Sequence, residues 1–369
     1  MTAPAVTLFL CGDVMLGRGV DQVLPHPGDP ALREGYIRDA RAYVELAEAA
    51  HGPVSWPVAP AWPWGDALAV LDRARPDVRV VNLETSVTAD GTFAAGKEVH
   101  YRMHPGNLPC LTAVRPDVCA LANNHVLDFG RPGLEETLDA LAGAGLRAAG
   151  AGRDADEAWR PAVVDLGDRR VVLVAFGTES SGIPPGWAAT GDRPGVAFLP
   201  APTYEAAAAV TDRIRAVRRP GDVVVASVHW GSNWGYGVPR DHVRFAHALV
   251  DGGVDIVHGH SSHHPRPLER YRGGLVLYGC GDLVDDYEGI TGYEHYRDDL
   301  RPLYLVTAEP GSGRPPGVRI VPMQARRMRL RHASRADAEW LRATLDRVSR
   351  GFGVRVALDA AGGLVVDSR

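Results

Sequence analysis

Cysteine is scarce: the 369 residues contain four, Cys11, Cys110, Cys119 and Cys280, all far apart. No two stand at CxxC spacing, so neither a cysteine zinc site nor a disulfide scaffold is indicated. In their apolar surroundings they read as buried thiols of a reducing compartment. Long hydrophobic runs are missing too. The opening "MTAPAVTLFLCGD" has no basic start and an apolar run of only about six residues, too short for a signal peptide. Nothing approaches the ~18 apolar residues of a membrane span. A cytoplasmic protein without a membrane anchor is expected. Charge of one sign is not in large excess: the net charge is -5, which leaves no reason to expect nucleic acid or an anionic membrane as partner. Fixed-period repeats and low-complexity segments are absent as well.

What is present is an ordinary globular composition, 45% hydrophobic and 23% charged, long enough for one large domain or two ordinary ones. Short β-branched runs at 6–11, 78–83, 117–122, 171–176, 222–229, 254–258 and 274–279 read as buried strands. Helical patterns at 132–144, 203–217 and 240–251 alternate with them, and Pro132 and Gly145 bracket the first. Alternation of this kind means α/β with parallel or mixed sheets.

Two stretches break the rhythm. Residues 24–64 predict a helix over 31–50 and then a loop rich in proline and tryptophan. This insertion either roofs a site beside the first motif or packs as a surface excursion on its own tryptophans. From about 311 the chain alternates arginine with apolar residues, as in a strand with one solvated face; the alternation fits a solvated strand better than a nucleic-acid patch. A capped amphipathic helix follows in "SRADAEWLRATLDRVSRGFG". The organisation expected is a main domain, 1–310, carrying the 24–64 insertion, and a small strand-helix extension, 311–369, packed on it.

Residues 258–265, "HGHSSHHP", hold four of the fourteen histidines. Four other predicted strand ends offer partners: Asp13 in "CGDVMLGR", Asn82 and Glu84 in "VVNLET", Asn123, Asn124 and His125 in "ALANNHVLDFG", and His229 in "ASVHWGSN". Sites of α/β folds lie at the carboxyl ends of strands, so these residues converge if the strands are neighbours. Carboxylate, amide oxygen and imidazole together suit a borderline divalent ion such as Zn, Mn or Fe. Asp13 and Glu84 could bridge two such ions. Each signal is weak alone, since a GD after a strand is usually a turn and "HW" often a core pair; the set carries the weight.

The segments "GDVMLGR", "NLET", "ANNHVLDFG…GLEETLDAL", "GAGRD", "HWG" and "HGHSSHH…LE", spread over residues 6–310, resemble the CapA family of poly-γ-glutamate capsule biosynthesis proteins, with its calcineurin-like metallophosphoesterase fold. The resemblance implies a four-layer α/β/β/α sandwich and one or two divalent transition-metal ions (Mn, Fe or Zn). It implies Asp13 as ligand of a first ion, Glu84 as bridge, and Asn124 and His229 on a second. His260 and His263 stand at the closing Gly-His-x-His position. His125 would act as general acid or electrostatic partner, a metal-bound hydroxide would attack, and Arg18 would hold a substrate phosphate or carboxylate unless it is spent on a salt bridge.

The sequence also departs from that pattern. Met15 stands where phosphoesterases carry a histidine ligand, and Glu84 replaces an aspartate. "GHSSH" leaves the choice among His258, His260 and His263 open, with His264 set aside. Asp282, followed by Asp285, Asp286 and Glu288, adds a ligand, binds a cationic substrate group, or belongs to a solvated acidic loop. The loop "SVHWGSNWGYGVPRDH" either stacks on a planar group or simply packs. The expected activity is a metal-dependent hydrolase, cleaving a phosphoester or amide of a small or peptide-like anionic substrate. The alternatives are an accessory of poly-γ-glutamate synthesis that handles γ-glutamyl chains, or a non-catalytic binding module.

Overall fold

The computed structural model describes residues 5–368. It is a mixed α/β structure built on an eleven-stranded and a seven-stranded sheet. In the first sheet Val78–Leu83 lies parallel to Val6–Leu10, and Val118–Ala120 and Arg147–Ala149 continue the parallel run. On the other side of Val6–Leu10 the strands turn antiparallel, through Leu300–Ala308, Gly317–Ala325, Leu364–Ser368 and Val354–Leu358. In the second sheet Arg170–Thr178, Val223–His229, Ile256–His260 and Gly274–Leu277 are parallel neighbours.

The strands are apolar on both faces because both faces are covered. Leu8, Leu10, Val78 and Val80 join Leu173, Ala175, Val223 and Val225 of the second sheet in one buried cluster. Their alternate neighbours point the other way. Phe9, Val81 and Leu83 meet Val44, Leu71 and Leu134 of the helices Arg41–His51, Asp66–Ala74 and Gly130–Gly143. Val174, Phe176, Val224 and Ala226 meet Val210, Ile214, Phe245 and Leu249 of the helices Tyr204–Val217 and Arg240–Asp251. A period of two thus sorts each strand's side chains between two apolar layers.

Two expectations need correction. The helix predicted over 31–50 is confined to Arg41–His51. The first half of the predicted span folds back on itself, with Ala31 bridging Asp39 and the Leu32 amide donating to the Arg38 carbonyl at 2.9 Å; Gly35, in the middle, favours the turn over the helix. The arginine-bearing strand Gly317–Ala325 is solvated on alternate positions only at its start, and from Ile320 onward it is buried throughout. Val321 and Met323 pack into one buried apolar cluster and Ile320 into the other, so its second half has no free face. The helix after it spans Arg335–Ser349, and the Ser334 hydroxyl caps it by accepting from the Asp337 amide.

Candidate metal centre

Register does the assembling. Within the first sheet Asp13 pairs with Asn82, and Asp282 pairs with Asp13. Within the second sheet His229 pairs with His260, and Ser227 with His258. The close approach that seats Asp13 beside Asp282 depends on Gly12, where a Cβ would lie 1.5 Å from the Gly281 carbonyl oxygen. The two sheets thereby bring their strand ends to one place. One donor atom each from Asp13, His229 and His260 falls within 4.8 Å of the others, and all three residues are buried.

Around this trio stand the other candidates. His229 Nε2 lies 3.1 Å from Asn124 Oδ1 and 3.6 Å from Glu84 Oε1. Asn82 Nδ2 donates to Asp13 Oδ1 at 2.7 Å, and Asn123 Nδ2 donates in turn to the Asn82 side-chain oxygen at 3.2 Å. Ser227 Oγ sits 3.1 Å from His258 Nδ1 and 3.0 Å from His260 Nε2. The Ser261 amide, in a backbone at φ 98°, points at Asp13 Oδ2 from 3.2 Å. Strain at a non-glycine residue is often kept where a site requires it.

The electrostatics fit a divalent cation. Burial, and then the Asp282 charge, raise Asp13 to about 7. Burial followed by the Asp13 charge raises Glu84 well above the carboxylate range. Burial also drives His229 and His260 well below their ordinary value, so both imidazoles keep a free lone pair at neutral pH. Among the described residues neither Asp13 nor Glu84 pairs with lysine or arginine; their nearest basic neighbours are these uncharged rings. Neutral imidazoles beside carboxylates that lack a counter-charge form a donor set that one cation would satisfy.

His125 stands next to this set, with Nε2 3.9 Å from Glu84 Oε1. Its Nδ1 is 2.6 Å from Asp128 Oδ2, which assigns the Nδ1–H tautomer. Burial lowers the ring to about 4, against the pull of Asp128. Lys97 reaches in from the loop before Tyr101, donating to Asp128 Oδ1 at 2.5 Å and to the Asn124 carbonyl. Sequence reasoning passed over Asp128 and Lys97. A signal for the latter was available: it is the only lysine in a chain with 40 lysine and arginine residues, and arginine serves every other basic position.

The remaining candidates are placed elsewhere. Arg18 is buried between Asp286, with bonds of 2.7 and 2.5 Å, and Glu34 at 2.7 Å. The salt-bridge alternative is thus the one its geometry matches. Glu34 and Tyr43 of the 24–64 insertion close over Arg18, and Trp64 is fully buried with its N–H on the Cys110 carbonyl. His263 lies 3.0 Å from Asp282 Oδ2, outside the trio. His258 donates its Nε2–H to the Cys11 carbonyl, 2.7 Å away. Trp230 stacks on buried His242, while Trp234 stacks on exposed Tyr293 at 4.1 Å. Asp282, Asp285 and Asp286 are buried, so this acidic stretch is no solvated loop.

Fold and site together define an α/β protein with a buried candidate metal centre at converging strand ends. The family model "Bacterial capsule synthesis protein PGA_cap" matches residues 7–287, and the chain belongs to that family. It is 57% identical over 353 residues to the "Probable polyglutamine synthesis accessory protein" of Mycobacterium tuberculosis, covering 95% of this chain and 93% of the relative. It is 30% identical over 235 residues to the "PGA biosynthesis protein CapA" of Bacillus subtilis, covering 63% of this chain and 58% of that protein. Among solved structures, the NAD nucleotidase of Haemophilus influenzae matches with a TM-score of 0.46 and 11% identity, over 94% of this chain and 56% of that one.

Proposed function

We propose that the protein is a cation-dependent hydrolase of a phosphoester or amide, built as an α/β/β/α sandwich on residues 1–310 and extended by 311–369. The observation that carries this reading is the convergence of buried Asp13, His229 and His260, with Glu84 and Asn124 beside them. These five residues would hold a divalent ion of the Mn, Fe or Zn type. Such an ion supplies Lewis acidity to a phosphoryl or carbonyl oxygen.

The chain's own residues supply the rest. His125, neutral at pH 7 and tied through Nδ1 to Asp128, presents an unprotonated Nε2 towards Glu84. It takes a proton from the attacking water and returns it to the leaving oxygen or nitrogen, serving in turn as base and acid. Asp128 fixes the ring and compensates the transient imidazolium, and Lys97 fixes Asp128. An anionic small or peptide-like substrate suits a site whose cation draws negative charge.

The names of the relatives favour a second reading on the same site, an accessory of polyglutamate synthesis that handles a γ-glutamyl chain. The two readings separate on substrate. Protein purified without chelator is assayed for bound metal by elemental analysis, then for turnover of a nitrophenyl phosphodiester and a γ-glutamyl nitroanilide. Bound metal with turnover lost in both Asp13→Ala and His125→Ala supports hydrolysis, and the preferred ester or anilide decides the bond. Full turnover in either variant overturns it. Metal-free protein that takes up none on addition leaves a binding module.

A further inference from the structure

The family resemblance leaves one or two cations open. We infer that this chain binds one, because the guanidinium of Arg301 supplies internally the positive charge that a second ion would bring. The inference rests on the cation-dependent reading above and concerns stoichiometry and the residues that limit it.

The five donors around His229 account for one ion. A second would need ligands from what remains at the same strand ends: position 15, His263 and Asp282. Position 15 is a buried methionine, 1% exposed, and a soft thioether is a poor ligand for an oxygen- and imidazole-seeking ion. His263 has both ring nitrogens engaged. Nδ1 faces Asp282 Oδ2 at 3.0 Å and the Tyr287 hydroxyl at 3.1 Å, and Nε2 faces the Asn233 side-chain amide at 3.0 Å. Asp282 is engaged as well: its Oδ2 accepts from Tyr287 at 2.5 Å and lies 3.2 Å from Arg301 Nη1, and its Oδ1 lies 3.2 Å from His263 Nδ1.

Arg301 makes this commitment permanent. Its side chain is fully buried, and it grips Asp285 at 2.6 and 2.9 Å while donating to the Tyr287 carbonyl at 3.0 Å. A guanidinium does not lose its proton in a protein. Once buried it holds on to its carboxylates, because a charge left unpaired in the interior is strongly destabilising. Giving Asp282 to a metal would break one of its two carboxylate pairs, and the Arg301 Nε and Nη1 already lack hydrogen-bond partners. The backbone of Arg301 is held in the long strand Leu300–Ala308 of the first sheet.

The test is to titrate metal-depleted full-length protein with Mn2+ alone and count bound ion after equilibrium dialysis. One Mn2+ per chain is expected, with the electron paramagnetic resonance signature of an isolated ion. Asp282→Asn is expected to keep that ion, whereas Met15→His combined with Arg301→Gln is expected to take up a second. Two Mn2+ per wild-type chain, or the signature of a coupled pair, overturns this inference and leaves the hydrolase reading intact. Loss of the ion in a folded Asp282→Asn chain also overturns it, since Asp282 would then be a ligand. No Mn2+ at all overturns both readings. If Arg301→Gln fails to fold, the count and spectrum of the wild-type chain still decide.

Discussion

The two sheets contribute differently to the centre. The first brings oxygens, from Asp13, Glu84 and Asn124, together with the neighbouring His125; the second brings the nitrogens of His229 and His260. Each half has its own brace. Asn82 ties Asp13 within the first sheet, and Ser227 touches both His258 and His260 within the second. Burial acts on the halves in opposite senses, pushing the carboxylates towards protonation and the imidazoles towards neutrality. A buried site can hold imidazoles ready for a cation at little cost. Carboxylates held ready are destabilising until the cation arrives.

The largest effect should come from deleting one donor of each half. Asp13→Ala and His260→Ala are each expected to abolish detectable metal binding in a micromolar titration, with turnover down by roughly a thousandfold or more. A His260→Ala chain that binds as the wild type does would show that the oxygens suffice. Next, His125→Ala should retain the metal and lose on the order of a hundredfold to ten-thousandfold in kcat. Asp128→Asn, which disturbs only its orientation, should lose about tenfold to a hundredfold. Unequal metal content between these two variants would mean that His125 is itself a ligand.

The braces should matter less and comparably. Asn82→Ala and Ser227→Ala are each expected to weaken Mn2+ affinity by about tenfold, as outer-shell partners do; isothermal titration reads both. A separate effect, of similar size, is on stability without metal. Asp13 rises from 3.8 to about 7 on folding, so the folded chain binds the extra proton between those values. Its contribution to stability is complete below pH 4 and is lost as pH rises to 7. Asp13→Asn lacks that loss and should gain on the wild type by on the order of 2 kcal/mol between pH 4 and 7.5. Urea titrations of metal-free protein at the two pH values test the sign, and no change would mean Asp13 is ionised when buried.

Most of the framework was legible in the sequence. The strands at 78–83 and 222–229 announced themselves as apolar runs, and five donors stood just past such runs. That is enough, because a strand buried on both faces has to be apolar and its ligand must sit where the run ends. The helix over 31–50 was misread because helical periodicity does not reveal a chain reversal around Gly35. Asp128 was invisible for a related reason: it lies three residues after His125 and looks like a turn residue until its oxygen is seen 2.6 Å from the ring.

By itself, then, the sequence determined which residues are of metal-ligand type and at which strand ends they fall, since both follow from residue type and local pattern. Which histidine of "HGHSSHHP" serves the centre was decided only in three dimensions. His260 is set beside His229 by the pairing of two parallel strands, His258 is bound to the Cys11 carbonyl, and His263 is bound to Asp282. The partners of Arg18 and Arg301 were decided the same way, because a buried guanidinium goes to whichever carboxylates the fold places around it, and those lie hundreds of residues away or across a turn. Pairing between distant strands and competition for buried charge are properties of the folded whole, and no local stretch of the chain encodes them.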